Sequence, residues 1–193
     1  MKEKFSRGYD DSELYEVPTL RIAEIKGNSI VDGPGQRIAI YAQGCQHGCD
    51  GCFSRDVWDE DGGTLYKADE LLNYITTKYP LCKAVTISGG EPFDQAMGFG
   101  WLALELSKLD YSVAAYTGYT FEELLGEVHE DNEAVARFLC FCDVLVDGPF
   151  DIRQKDLSLK FRGSRNQRIL DVAQSFEGDR TVPFIKVDDG WGD

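Results

Sequence analysis

The sequence lacks several features that mark secreted, membrane or nucleic-acid-binding proteins. No apolar run reaches the ~18 residues that a transmembrane helix needs. The N-terminal residues M-K-E-K-F-S-R-G-Y-D-D-S-E carry charges but no apolar stretch, so we expect no secretory signal. Basic residues are the minority, 20 against 34 acidic ones, and the net charge of -14 repels phosphate backbones and anionic membranes. We therefore expect a cytoplasmic protein with neither nucleic acid nor membrane as a partner.

The chain also has no internal repeat and no linker that would divide it. Its 193 residues fit one domain, because single domains usually have ~100 to 200 residues. A hydrophobic fraction of 42% is typical of a globular protein. We predict a single domain over residues 1–193, with residues 1–18 as an N-terminal arm and residues 174–193 as an edge segment or a tail.

Short β-branched segments alternate with segments of helical periodicity along most of the chain. Strands are predicted at residues 20–25, 37–43, 84–88, 112–117, 143–147 and 167–172. Helices are predicted at residues 67–79, about 94–109 and 121–140. Strands that alternate with helices predict an α/β fold with a parallel sheet.

Unusual stretches follow three of the predicted strands. C-Q-H-G-C-D-G-C at residues 45–52, the cysteine loop, follows the strand at 37–43. G-G-E-P at residues 89–92, the G-G-E-P loop, and T-G-Y at residues 117–119, the T-G-Y loop, follow the next two. Chemistry in parallel α/β folds collects at the carboxyl ends of strands, so we expect the three loops to converge.

The cysteine loop contains Cys45, Cys49 and Cys52. Clustered thiols in a reducing compartment are more often metal ligands than disulfides. Three thiolates can hold an iron-sulfur cluster with one iron left open, whereas a closed zinc site would recruit His47 as a fourth ligand. His47 lies only two residues after Cys45, a poor spacing for ligands of the same ion. The remaining cysteines, expected to be reduced thiols in or near the core, are Cys82, Cys140 and Cys142.

These motifs together resemble those of the radical S-adenosylmethionine enzymes. In that family a C-x3-C-x2-C loop holds a 4Fe-4S cluster, and a G-G-E-P motif contacts the methionyl amine of S-adenosylmethionine. The matching residues are the metal ligands Cys45, Cys49 and Cys52 and the cofactor-binding residues Gly89, Gly90, Glu91 and Pro92. The resemblance implies a partial, open TIM-like barrel of about six parallel strands with outer helices.

A narrower resemblance extends over about residues 28 to 168. It is carried, in order, by N-S-I-V-D-G-P-G-Q-R, Q-G-C-Q-H-G-C-D-G-C, S-G-G-E-P-F-D-Q, Y-T-G-Y-T, V-L-V-D-G-P-F and R-G-S-R-N-Q. These are similar to motifs of the activating proteins of anaerobic ribonucleoside-triphosphate reductase, which are glycyl-radical enzyme activases. Gly51 stands where the broad radical family often has an aromatic residue, and this departure fits the narrower group.

The resemblance implies a radical S-adenosylmethionine oxidoreductase that cleaves its cofactor reductively and generates a glycyl radical on the reductase. Reduced flavodoxin or ferredoxin would be the electron donor. Thr117 and Gly118 would contact the cofactor, and no catalytic side chain is implied beyond the cluster and S-adenosylmethionine.

Several assignments stay open at the level of sequence. Asp147, Arg162 and Gln167 would line the same mouth or take ordinary turn and packing roles, and residues 32–35 would meet the partner or form a tight turn. Two other functions also stay open: an activase of another glycyl-radical enzyme such as pyruvate formate-lyase, and a noncatalytic metal-binding module.

Overall fold

The computed structural model describes residues 16–178 and 181–183. Residues 1–15 of the predicted N-terminal arm, and most of the predicted segment at 174–193, lie outside the described residues. The described part of the chain forms seven strands and five α-helices. None of these helices is long and apolar enough to cross a membrane.

The elements follow one another in an order close to the predicted alternation. The strands are β1 (Thr19–Ser29), β2 (Arg37–Ala42), β3 (Thr64–Lys67), β4 (Ala84–Gly89), β5 (Ser112–Tyr116), β6 (Val144–Asp147) and β7 (Arg168–Asp171). The helices are α1 (Ala68–Lys78), α2 (Ala96–Lys108), α3 (Phe121–His129), α4 (Glu133–Phe141) and α5 (Val172–Gly178). All strands join one mixed sheet in the order β3-β1-β2-β4-β5-β6-β7.

The directions of the strands differ from the sequence-based expectation. Strands β2, β4, β5 and β6 are mutually parallel, whereas β1, β3 and β7 pair antiparallel with their neighbours. A parallel neighbour needs a crossover, usually a helix, and no α-helix lies in the segment 30–36 before β2 or 148–167 before β7. About six parallel strands in an open barrel are therefore not confirmed. In the described sheet, four adjacent strands pair in parallel.

Two elements were missing from the sequence-based prediction. Strand β3 has only four residues and is mostly exposed, so it carries no clear alternation. Helix α5 begins inside the predicted last strand and takes up the start of the predicted terminal segment. After α5 the chain returns to β7, where the backbone N–H of Asp171 donates to the Val182 carbonyl (2.9 Å).

The α-helices pack on one face of the sheet, where alternate strand residues are apolar. This core combines helix residues such as Leu71, Ile75, Phe99, Leu102 and Phe138 with strand residues such as Ile38, Ile40, Val85, Ile87 and Val113. Burial of these side chains supplies the main driving force for folding. The core thereby fixes the position of the strand ends at which the three loops begin.

The opposite face of the sheet carries polar side chains on β2 and β4, next to a small apolar cluster on β5, β6 and β7. Arg37 is buried and donates from Nε to Thr86 Oγ1 (2.6 Å) and from Nη2 to the Val85 carbonyl (2.8 Å). Segment 30–36 folds over this face, because Thr86 Oγ1 donates to the Asp32 carbonyl (2.8 Å) and Tyr41 donates to the Asp32 carboxylate (2.8 Å). The turn D-G-P-G, at residues 32–35, therefore lies over the polar side chains of β2 and β4, away from the helices.

Candidate metal centre and cofactor site

The three loops meet at the carboxyl edge of the parallel strands. They line a cleft of about 130 Å³ that contains eight of the nine predicted site residues; the exception is Pro92. Those eight are Cys45, Cys49, Cys52, Gly89, Gly90, Glu91, Thr117 and Gly118. Larger cavities of about 490 and 510 Å³ lie elsewhere, and no cysteine is among their described lining residues. The expected convergence of the loops is therefore observed.

The thiols of the cysteine loop are partly exposed toward this cleft, and none of the six cysteines, all of which lie among the described residues, forms a disulfide. The start of the loop is held by backbone bonds, from Gly44 N–H to the Val57 carbonyl (2.8 Å) and from Cys45 N–H to the Trp58 carbonyl (3.2 Å). Burial raises the pKa of the Cys45 thiol to about 11. The metal-free thiol is therefore protonated at neutral pH, and metal binding there releases its proton.

The cysteine loop also contacts the segment after β6. Burial raises the pKa of the Cys49 thiol, and the backbone amide of Phe150 acts in the opposite direction by hydrogen bonding to it. The rings of Phe53 and Phe150 meet edge to face with centroids 5.5 Å apart. A β-carbon on Gly51 would lie 2.7 Å from Ile152 Cδ1, so glycine allows these segments to pack closely.

The side chains around the cleft fit one of the two kinds of metal centre better than the other. Within residues 16–178 and 181–183, no group of three or more His, Cys, Asp or Glu side chains is arranged to hold one metal ion. A 4Fe-4S cluster has its thiolate ligands on different irons, so these ligands need not meet at one point. His47, the fourth ligand of the zinc alternative, instead has Nε2 2.8 Å from Glu91 Oε2. Three separate thiols beside a cleft fit a cluster.

Glu91 lies at the centre of the site and is only 1% exposed. Its Oε1 accepts hydrogen bonds from Phe93 N–H (2.9 Å) and Thr117 Oγ1 (2.9 Å). Its Oε2 accepts from His47 Nε2 (2.8 Å) and Gly118 N–H (2.8 Å). The hydrogen bond to Glu91 raises the pKa of His47, since it favours the protonated imidazole. One carboxylate thus links the cysteine, G-G-E-P and T-G-Y loops.

The two glycines of the G-G-E-P loop pack against the end of β2. Gly90 N–H donates to the Ala42 carbonyl (2.8 Å), and Glu91 N–H donates to the Gly44 carbonyl (2.8 Å). Gly89 has a φ of 99°, a conformation that favours glycine. A β-carbon on Gly90 would lie 2.0 Å from the Gly44 carbonyl oxygen. The glycines therefore bring two backbone segments together at the edge of the cleft.

The three residues with open assignments separate in the structure. Gln167 lines the cleft, where its Oε1 accepts from Gly163 N–H (2.8 Å) and its Nε2 donates to the Gly148 carbonyl (3.1 Å). Asp147 is fully buried and accepts from Arg168 Nε (3.0 Å) and from the first backbone N–H of α3 (2.8 Å). Neither Asp147 nor Arg162 is among the described lining residues. Asp147 therefore bonds to other parts of the fold instead of lining the cleft.

The contact between His47 and Glu91 was not predicted from the sequence. The position of His47 among the cysteines indicated only a zinc ligand. Glu91 is 44 residues away along the chain, and no spacing rule relates the two. Only the register of parallel β2 and β4, in which Ala42 faces Gly89, brings the two loops side by side.

Comparison with known proteins shows the family of the chain. A family model described as a 4Fe-4S single cluster domain matches residues 31–170. The anaerobic ribonucleoside-triphosphate reductase-activating protein of Vibrio cholerae is 31% identical over 147 residues, which cover 72% of this chain and 90% of that protein. The chain belongs to the family of the anaerobic ribonucleoside-triphosphate reductase-activating proteins.

Other members of the activating-protein family match over a similar part of the chain. The Escherichia coli K12 protein is 31% identical over 150 residues, with 72% of this chain and 90% of that protein covered. The protein of Enterobacteria phage T4 is 29% identical over 150 residues, with 72% and 86% covered. Among solved structures, QueE from Escherichia coli aligns with a TM-score of 0.45 and 22% identity over 53% of this chain and 54% of that chain.

Proposed function

We propose that this member of the activating-protein family generates a glycyl radical on anaerobic ribonucleoside-triphosphate reductase. Cys45, Cys49 and Cys52 would hold a 4Fe-4S cluster, and S-adenosylmethionine would bind in the adjoining cleft. One observation supports this proposal most strongly: the three thiols, the G-G-E-P loop and the T-G-Y loop line the same cleft. The name of the relatives supports the reductase as the protein acted upon.

When bound, the cluster and S-adenosylmethionine would supply the one-electron chemistry that takes hydrogen from a glycine of the reductase. The chain's own residues hold and enclose them. Cys45, Cys49 and Cys52 would leave one of the four irons without a protein ligand, and a small molecule could bind there. Trp58, Tyr116 and Phe150 give the cleft apolar walls that limit the access of water.

Two outcomes distinguish this function from a noncatalytic metal module. Protein purified without oxygen is expected to contain about four irons with matching sulfide, as in a 4Fe-4S cluster. With dithionite and S-adenosylmethionine it is expected to form 5'-deoxyadenosine. Stoichiometric zinc without cleavage would instead establish the noncatalytic module. A reducing, cytoplasmic location, in which clustered thiols serve as metal ligands, is part of the proposal.

An acidic flavodoxin or ferredoxin is the proposed electron donor. Residues 151–165, the basic loop, contain five Lys and Arg against two Asp, although acidic residues dominate the chain as a whole. The basic loop lies beside the cysteine loop, since Lys155 Nζ is 4.6 Å from the ring centroid of Phe53, which directly follows Cys52. A positive surface next to the cluster ligands would steer a negatively charged donor toward them.

Lys155→Glu is expected to slow cluster reduction by reduced flavodoxin about tenfold at low salt, because it reverses a steering charge. Stopped-flow absorbance of the cluster measures this rate. Reduction by titanium(III) citrate, which is not a protein, is expected to change little by comparison. Lys108→Glu, at the end of α2, makes the same charge change elsewhere and serves as the matched control. Equal slowing in both variants would show that total charge, not the basic loop, sets the rate.

A further inference from the structure

Glu91, which the family resemblance implies as a cofactor-binding residue, has hydrogen-bond partners from three loops of the protein itself. We propose that Glu91 serves as an internal link between loops rather than as the acceptor for the amine of S-adenosylmethionine, and that His47 is the positioning residue that attaches the cysteine loop to it. This inference rests on the proposed function, because it concerns how the cluster and the cofactor are held relative to each other.

The hydrogen-bonding capacity of Glu91 supports its role as an internal link between loops. A carboxylate has about two acceptor sites on each oxygen. Both sites of Oε1 are used by Phe93 N–H and Thr117 Oγ1, and both sites of Oε2 by His47 Nε2 and Gly118 N–H. Because Glu91 is only 1% exposed, an incoming amine would have to displace one of these four hydrogen-bond donors. Glu91 is therefore already satisfied before any cofactor binds.

The surroundings of His47 support its role as the residue that attaches the cysteine loop to Glu91. Its imidazole is the donor by which the cysteine loop reaches Glu91, and it stands between Cys45 and Cys49 in sequence. A β-carbon on Gly118 would lie 2.5 Å from His47 Cδ2, so the ring packs directly on that glycine. The ring of Tyr119 meets it edge to face, with centroids 4.6 Å apart. His47 is thus fixed against the T-G-Y loop from several sides.

This geometry gives the cysteine loop a direct side-chain link, through His47 and Glu91, to the T-G-Y loop. Cys45 and Cys49 lie two residues before and after His47, so loss of this link is expected to loosen the position of both thiols. Hydrogen bonds to a charged group are stronger than neutral ones, which makes the link stiff. Loss of the imidazole is therefore expected to loosen cofactor binding without removing any thiol ligand.

Replacement of His47 tests the link. We expect His47→Ala to retain iron but to bind S-adenosylmethionine about tenfold more weakly, the effect of losing one charge-assisted hydrogen bond. The reduced cluster of this variant is expected to show a smaller change in its electron paramagnetic resonance spectrum when S-adenosylmethionine is added. His47→Gln, whose amide N–H can donate to Glu91, is expected to restore most of both properties.

The other histidine of the chain provides the control. His129 ends α3 on the protein surface, so His129→Ala is expected to match the parent protein in iron content and cofactor affinity. Parent-like binding by His47→Ala would overturn the link, and so would a glutamine variant no better than the alanine variant. Loss of iron from both His47 variants would identify His47 as a metal ligand and overturn its positioning role.

Glu91→Gln tests the role of the carboxylate, with an analogue of S-adenosylmethionine in which hydrogen replaces the amino group. If Glu91 is internal, the variant weakens binding of both compounds and leaves the ratio of their affinities unchanged. A ratio that collapses toward one would show that Glu91 recognises the amine, contrary to the proposal.

Hydrogen exchange separates this inference from the proposed function. The protein is measured in its iron-loaded form, before S-adenosylmethionine is added. Glu91→Gln replaces a carboxylate oxygen, which accepts hydrogen bonds, by an NH2 group, which cannot accept them. Faster exchange is therefore expected in the peptide that contains the Gly118 amide. This result does not depend on cofactor cleavage. Failure of the parent protein to bind S-adenosylmethionine would contradict the proposed function, whereas unchanged exchange would contradict the internal link.

Discussion

Replacing any one of Cys45, Cys49 and Cys52 by alanine is expected to abolish S-adenosylmethionine cleavage and to remove most of the bound iron. These three thiols are the cysteines that line the cleft. A cluster that already lacks a fourth protein ligand has no spare thiolate nearby, so two ligands would hold it poorly. Iron analysis and 5'-deoxyadenosine formation under anaerobic conditions measure the two effects in each variant.

Cys82→Ala is the matched control for these variants. Cys82 precedes β4, and its Sγ donates to the carbonyl of Gln36 (3.3 Å), the residue just before the start of β2. It therefore lies at the edge of the sheet opposite to the cleft. Iron content and cleavage are expected to remain at the level of the parent protein. Full activity in any of the three cleft variants would contradict the ligand assignment.

Gly90→Ala is expected to have the second largest effect, a loss of about 2 to 3 kcal/mol of stability together with most of the cleavage activity. Its β-carbon would lie 2.0 Å from the Gly44 carbonyl oxygen, a backbone atom that also accepts from Glu91 N–H. To relieve the contact, the G-G-E-P loop must move away from the start of the cysteine loop. Urea unfolding of the iron-loaded protein gives the change in stability.

Gly126→Ala makes the same chemical change at a permissive position. Gly126 lies inside α3, and a β-carbon there would meet no other described segment of the chain within 4 Å. Alanine favours a helix more than glycine does, so stability is expected to stay equal or to rise by up to ~1 kcal/mol. Equal behaviour of the two alanine variants would show that close backbone packing at Gly90 is not required.

Much of the candidate site could be predicted because its residues are close in sequence or follow strands. The spacing of Cys45, Cys49 and Cys52 within eight residues, and their position directly after a strand, required no tertiary information. The same rule brought the G-G-E-P and T-G-Y loops to one edge of the sheet. That edge is where the structure has them, around the cleft.

The directions of the outer strands could not be predicted in this way. Periodicity identifies a strand but does not specify its direction, which depends on whether a helix returns the chain across the sheet. Segment 148–167 has a length that could hold a helix, yet Gly148, Pro149 and Gly163 interrupt it, and β7 pairs antiparallel with β6. The hydrogen bond between His47 and Glu91 was equally hidden, since the two residues are 44 positions apart and no spacing rule relates them.

Electron paramagnetic resonance of anaerobic ribonucleoside-triphosphate reductase, after incubation with this protein, S-adenosylmethionine and a reductant, tests the central claim most directly. We predict a glycyl-radical doublet on the reductase that disappears when S-adenosylmethionine is omitted or when Cys49→Ala replaces the parent protein. A parent protein that forms 5'-deoxyadenosine but leaves the reductase without this doublet, or that gives it only on another enzyme such as pyruvate formate-lyase, would contradict the account.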